Sequence, residues 1–192
     1  MKAKVRFSYA QYEEMVRLGL LDPRLHHRVE LIFGRVIPVY GKSWRCRPSL
    51  SHEDVVDEML AWSFDHTPTK AVRVRVKGSF AIELLHSLPR PDITWLTRDD
   101  YSNEWPRPGN VLLVVEVSDQ PFAKDRGRKA RLYALAGIRD YWIVNVQGRC
   151  IEVHRNPGEG RYQDVRTFHP GQEIHPLAFP EASLPVARIF PD

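Results

Sequence analysis

The sequence predicts an α+β fold, or an α/β fold with a mixed sheet, in which β-strands form a central sheet flanked by helices. Three observations carry that expectation. The run Val111-Leu112-Leu113-Val114-Val115-Glu116-Val117-Ser118 is almost unbroken β-branched and aliphatic, as in a strand buried on both faces. Residues 71–77 alternate strictly between apolar and basic, as in a strand with one wet face. Stretches of helical spacing interrupt the strand patterns near the start, near residue 55 and after residue 122.

Taken in order, Ser8-Tyr9-Ala10-Gln11 has the form of a capping box, and Tyr12, Met15, Val16 and Leu18 follow at helical spacing until Gly19. Val29–Phe33 and Val36–Tyr40 are apolar runs around Gly34-Arg35, a hairpin signature, and Pro38 sets the second strand at an edge. Residues 42–48 are basic and irregular. Ser51-His52-Glu53-Asp54 opens a second helix, whose apolar face is Val55, Val56, Met59, Leu60 and Trp62. After the basic strand at 71–77, residues 78–85 are expected to continue the sheet past a bend. Strand 92–97 and strand 111–118 are joined by a loop that Pro106, Pro108 and Gly109 punctuate. A helix over 122–136 ends at Gly137, and 141–146 with 149–154 make a hairpin about Gln147-Gly148. One more strand spans 162–168, and a Pro-rich tail closes with a short helix near 186–190.

A chain of 192 residues is most simply one domain, here 1–192, with a single core. The net charge of +4 tolerates a polyanionic partner without demanding one. Two cysteines make no disulfide scaffold, and no apolar signal region or membrane-length run is present, so free thiols and a cytoplasmic location are expected. No nucleophile elbow, phosphate-binding loop, dinucleotide glycine fingerprint or zinc spacing occurs.

The chemistry is expected at Asp92 and Glu116. If strands 92–97 and 111–118 pair antiparallel, the start of the first lies beside the end of the second, and the two acids fall level. Such a pair suits Mg²⁺, which takes one or two carboxylates and completes its shell with water and phosphate. The alternative is structural: Asp92 capping a turn after Pro89-Arg90-Pro91, and Glu116 pairing with an arginine at the sheet edge. Lys129 lies about two turns into the following helix, on one stripe with Asp125, Leu132, Tyr133 and Ala136. Its ammonium could return to the acids, or its stem could snorkel across the core with an i,i+4 pair to Asp125. Glu30 interrupts an apolar strand, and a solvent-facing hairpin position, with Val29, Leu31 and Phe33 alternating against it, accounts for it slightly better. His52, at a helix start, is a phosphate contact when protonated, a proton shuttle, or a surface histidine.

Together these segments resemble the Uma-type restriction endonucleases, a branch of the PD-(D/E)XK nuclease superfamily. The resemblance rests on Val29–Gly34, Ser51-His52, Arg90-Pro91-Asp92-Ile93, Val114–Ser118, and Asp125 through Lys129 to Tyr133-Ala134-Leu135-Ala136-Gly137-Ile138-Arg139-Asp140-Tyr141-Trp142. It covers nearly the whole chain. It implies a restriction-endonuclease-like core and Mg²⁺-dependent hydrolysis of DNA phosphodiesters, with Mn²⁺ as a substitute. Asp92 and Glu116 match the metal-binding acids, and Glu30 and His52 match further active-site positions. The lysine usual two positions past the second acid is replaced by Ser118, and Lys129 matches the lysine that this branch displaces to the helix. Arg73, Arg75, Lys77 and the segment 42–47 are expected to track DNA phosphates. A catalytically silent nuclease-fold module that binds nucleic acid or protein is the alternative function, and a small-phosphoester hydrolase is a third. A homodimer is expected for double-strand cutting, with Tyr141-Trp142 or the C-terminal hairpins as contact.

Overall fold

The computed structural model describes residues 5–21, 29–38, 52–118 and 123–190. The basic segment 42–47 with Cys46, the cap Ser51, Phe122, and the side chain of Asp125 lie outside the described residues.

Among the described residues, six strands form the central sheet, in the order β3 (Val72–Val76), β4 (Ile93–Thr97), β5 (Val111–Ser118), β6 (Asp140–Asn145), β7 (Cys150–Gly158) and β8 (Arg161–Phe168). Every neighbouring pair is antiparallel except β5 and β6, so the sheet is mixed, as the sequence predicts. The parallel pair is linked through a helical crossover, a π-helical turn Ala123–Lys129 that runs into α3 (Ala130–Leu135). The sequence suggests a regular α-helix there, and the wider turn is the difference.

Two layers cover the sheet. One face packs on α2 (His52–His66) through Val55, Val56, Met59 and Trp62, and on α4 (Val186–Ile189). At its centre Trp62 stacks on Trp95 and Trp142, with ring centroids 5.3 and 5.8 Å apart. Each buried indole N–H is satisfied: Trp62 donates to Ser183 O, Trp95 to Ser63 Oγ and Trp142 to Asp140 Oδ1. The other face takes Val114, Tyr141 and Ile143 from the sheet, with Leu132 and Tyr133 of α3 over them. A Pro-rich return adds the small pair β9 (Glu173–Ile174) and β10 (Leu184–Pro185), which the sequence does not announce. No described helix is long and apolar enough to cross a membrane.

Helix α1 (Tyr9–Arg17) begins at Ser8, whose Oγ accepts from Gln11 N while Gln11 Oε1 accepts from Ser8 N, the expected capping box. The hairpin β1 (Val29–Ile32) and β2 (Arg35–Pro38) forms as expected, but its turn is Phe33-Gly34, one residue earlier than the sequence suggests. Both residues take positive φ, 49° and 74°, the geometry that closes a two-residue hairpin with the native strand twist. A side chain at Gly34 would meet Phe7 O at 2.9 Å.

Two further expectations are corrected. Residues 78–85 do not extend the sheet: Lys77 adopts φ 49° and ends β3, and Phe80, Ala81 and Ile82 are buried between α3 and the hairpin. A short 3-10 turn, Glu83–Leu85, follows, with one bridge between Ile82 and Ser87. Tyr141 and Trp142 are fully buried in the sheet, so they supply no contact between protomers.

Candidate active site

The register puts the two acids opposite each other. Ile93 pairs with Val115, so one step further Asp92 faces Glu116 across paired strands. Asp92 sits just before β4, and its Oδ2 accepts from Val117 N at 2.8 Å, which locks the carboxylate against the end of β5. Its Oδ1 lies 3.2 Å from Nε2 of His52, the first residue of α2. Burial alone would push the Asp92 carboxyl up, but His52, the Val117 N–H and the Lys129 ammonium outweigh it and hold the group below its ordinary value.

Glu116 is 4% exposed, and an ionised carboxylate so deep needs partners. It has them. Lys129 Nζ and the Tyr133 hydroxyl both donate to Glu116 Oε1, each at 2.8 Å. Lys129 and Tyr133 are four residues apart at the start of α3, and side chains at that spacing share a helix face. The Tyr133 phenol is pushed far above its usual value, first by burial and then by Glu116 and Glu30, so it remains a donor throughout the physiological range.

Glu30 is brought to the same point by the hairpin. Leu31 and Leu88 exchange backbone hydrogen bonds, Gly34 N donates to His86 O, and Phe33 N donates to Ser87 Oγ. Thus docked, Glu30 is 6% exposed, and its Oε1 accepts from Arg90 N at 2.7 Å and lies 3.2 Å from Lys129 Nζ. The solvent-facing alternative for Glu30 does not hold. Lys129 pairs with Glu116 and Glu30, and the side chain of its expected i,i+4 partner Asp125 lies outside the described residues.

The structure therefore gathers all five residues singled out in the sequence: Glu30, His52, Asp92, Glu116 and Lys129. It adds Tyr133, which the sequence places on the Lys129 stripe without giving it a role. On the flank, Arg73 and Arg75 of β3 lie 5.7 and 5.0 Å from the Tyr101 ring centroid. Arg75 is opposite Thr94 and Thr94 opposite Val114, so Arg75 shares the sheet face that carries the acids.

Among the described residues no three His, Cys, Asp or Glu side chains already stand as a metal cage. The donor set nonetheless suits a hard cation, which binds through one or two carboxylates and otherwise through water and substrate oxygens. Asp92 and Glu116 are two such carboxylates on adjoining strand ends.

A mixed sheet sandwiched by helices, with two acids level on paired strands and a lysine returned from the following crossover, defines a nuclease-like fold. The chain belongs to the Uma2 family, described as "Putative restriction endonuclease", whose model matches residues 11–187. Among solved structures it is similar to "a putative nuclease belonging to DUF820" from Anabaena variabilis ATCC 29413. That similarity has a TM-score of 0.69 and 16% identity, and it covers 96% of this chain and 97% of the other. At that identity the likeness speaks for the fold. No curated protein matches the chain.

Proposed function

We propose that the chain is a divalent-metal-dependent endonuclease that hydrolyses DNA phosphodiester bonds, with Mg²⁺ the natural ion and Mn²⁺ a substitute. The observation that carries this reading is the Lys129 ammonium, 2.8 Å from Glu116 and 3.2 Å from Glu30, beside an Asp92 that faces Glu116. Asp92 and Glu116 would hold the ion, with Glu30 assisting. The ion would supply Lewis-acid polarisation of the phosphoryl oxygen and acidify the attacking water. Lys129 orients that water and stabilises charge on the pentacovalent transition state through Nζ. Tyr133 fixes Glu116 through its hydroxyl hydrogen bond, and His52 keeps Asp92 ionised. Arg73, Arg75 and Lys77 contact phosphates flanking the reacting one. Cutting both strands of a duplex calls for two such centres, so we propose a homodimer, which light scattering would measure directly.

The test is a supercoiled-plasmid nicking assay. The expected result is nicking that Mg²⁺ or Mn²⁺ supports, that EDTA stops, and that Asp92→Ala abolishes. Competition by free nucleotides would transfer the assignment to a small phosphoester. DNA binding that persists in Asp92→Ala, with no metal-supported turnover by the wild type, would make the protein a silent binding module.

A further inference from the structure

Another buried carboxylate, Glu152, stands on the face that carries the acids. Glu116 pairs with Ile143 on β6, and Ile143 with Glu152 on β7, so Glu116 and Glu152 project from the same side of the sheet in one cross-strand row. Two strand spacings separate them, about 10 Å. Glu152 is 4% exposed, yet it faces an arginine from the crossover, not an apolar neighbour. Arg126 Nε donates to Glu152 Oε2 at 2.7 Å, and a terminal guanidinium nitrogen pairs with the other carboxylate oxygen. His154 Nε2 lies 3.4 Å from Glu152 Oε2. Burial, and then the Arg126 charge, hold His154 down to about 4, so at neutral pH the ring is uncharged and leaves the Glu152 charge for Arg126.

The pair is lopsided. The Glu152 side chain is 5% exposed while that of Arg126 is 52% exposed. Burying a carboxylate is costly, and an apolar residue would fill the same volume more cheaply. What the arrangement achieves is a planar cation fixed from below by a two-pronged grip and turned to solvent, which reduces the rotamer freedom lost when a ligand binds. Arg126 also stands three residues before Lys129 in the same π-helical turn, a distortion common at functional sites.

We infer that Arg126, positioned by Glu152 and His154, binds a phosphate that flanks the scissile one on the β7 side of the acids. This rests on the nuclease reading above and names a residue for its substrate grip. With Arg73 and Arg75 on the β3 side, it gives the acids a cationic contact on each flank, and the substrate strand crosses the sheet from β3 toward β7.

The test is fluorescence anisotropy of a labelled duplex with Ca²⁺ replacing Mg²⁺, titrated between about 50 and 200 mM salt. Arg126→Ala is expected to weaken binding about tenfold at low salt. It should also lower the slope of log affinity against log salt by about 0.9, the loss of one phosphate contact. Arg126→Lys should restore the slope because it keeps the charge. If Arg126→Ala alone fails to fold, the double variant Arg126→Ala/Glu152→Ala removes both charges of this pair and carries the same expectation. A wild-type slope in the Ala variants, or no recovery with Lys, overturns the inference and makes the pair a structural clamp. A wild type that shows no salt-dependent binding overturns the nuclease reading itself, and this inference with it.

Discussion

Removing the Lys129 ammonium has a cost that follows from distances. Both Glu116 Oε1 and Glu30 Oε1 lie within 3.2 Å of Nζ, so these oxygens are no more than about 6 Å apart. The side chains involved are 5%, 7% and 14% exposed for Glu116, Glu30 and Lys129, so solvent screens them little. In Lys129→Met two negative charges face each other across that gap without the cation. At an effective dielectric of about 20, their repulsion is about 3 kcal/mol. Lost attraction adds to it, in line with the roughly 3–5 kcal/mol expected when one member of a buried pair is deleted. The assay is urea unfolding at pH 8 followed by Trp fluorescence, to which the stacked Trp62, Trp95 and Trp142 contribute. With a slope of about 2 kcal/mol per molar urea, the midpoint should fall by about 2 M. Adding Glu30→Gln to Lys129→Met removes one charge and should recover most of the repulsive part. A Lys129→Met midpoint within about 0.2 M of wild type would show that the ammonium does not hold the two carboxylates together, as would a double variant no more stable than the single one.

Three further outcomes follow from the same geometry. Asp92 is held below its unfolded value, so its ionisation contributes stability above about pH 4 that is lost as pH falls through the lowered native value. Asp92→Asn should therefore cost about 2 kcal/mol at pH 7 and progressively less toward pH 3, measured as melting temperature against pH; a pH-independent difference would contradict this. Tyr133→Phe deprives the buried Glu116 of a donor at 2.8 Å and should cost about 1–2 kcal/mol in chemical denaturation, and no loss would mean that Glu116 does not depend on it. Thr94 Oγ1 is buried with no hydrogen-bond partner among the described residues, so the near-isosteric Thr94→Val should gain about 1 kcal/mol, and a loss would point to a partner of that hydroxyl.

Much of the fold was legible because its signals are local. The unbroken run at 111–118, the alternation at 71–77 and the Ser8 capping box each depend on neighbours a few residues away, and each forms where expected. The meeting of Asp92 with Glu116 was legible too, since a short Pro- and Gly-punctuated loop leaves an antiparallel pairing as the simplest arrangement. Glu30 was ambiguous for a physical reason. Alternation in a hairpin says which residues share a face but not what docks on that face, and here the segment around Leu88 and Arg90 covers it. Residues 78–85 misled because Phe80, Ala81 and Ile82 carry strand-like apolarity, while the left-handed Lys77 that redirects them leaves no compositional mark. Tyr133 and Glu152 were missed although signals existed. A tyrosine one turn beyond a lysine aimed at acids can donate to them, and Glu152 breaks an apolar run just as Glu116 does. The alternation of Ile151 and Val153 around Glu152 imitates a solvent face, and only the crossover above it reveals otherwise.

The central claim is that Asp92 and Glu116 together hold the ion that drives phosphodiester hydrolysis. It is tested most directly by calorimetric titration of Mg²⁺ or Mn²⁺ into the wild type and Glu116→Gln, with plasmid nicking measured on the same samples. Gln retains an acceptor for Lys129 and Tyr133 while removing the charge, so the fold should persist. Ion binding and nicking are expected in the wild type, and the loss of both in the variant. Ion binding of equal strength in the two proteins, or none in the wild type, would contradict the central claim.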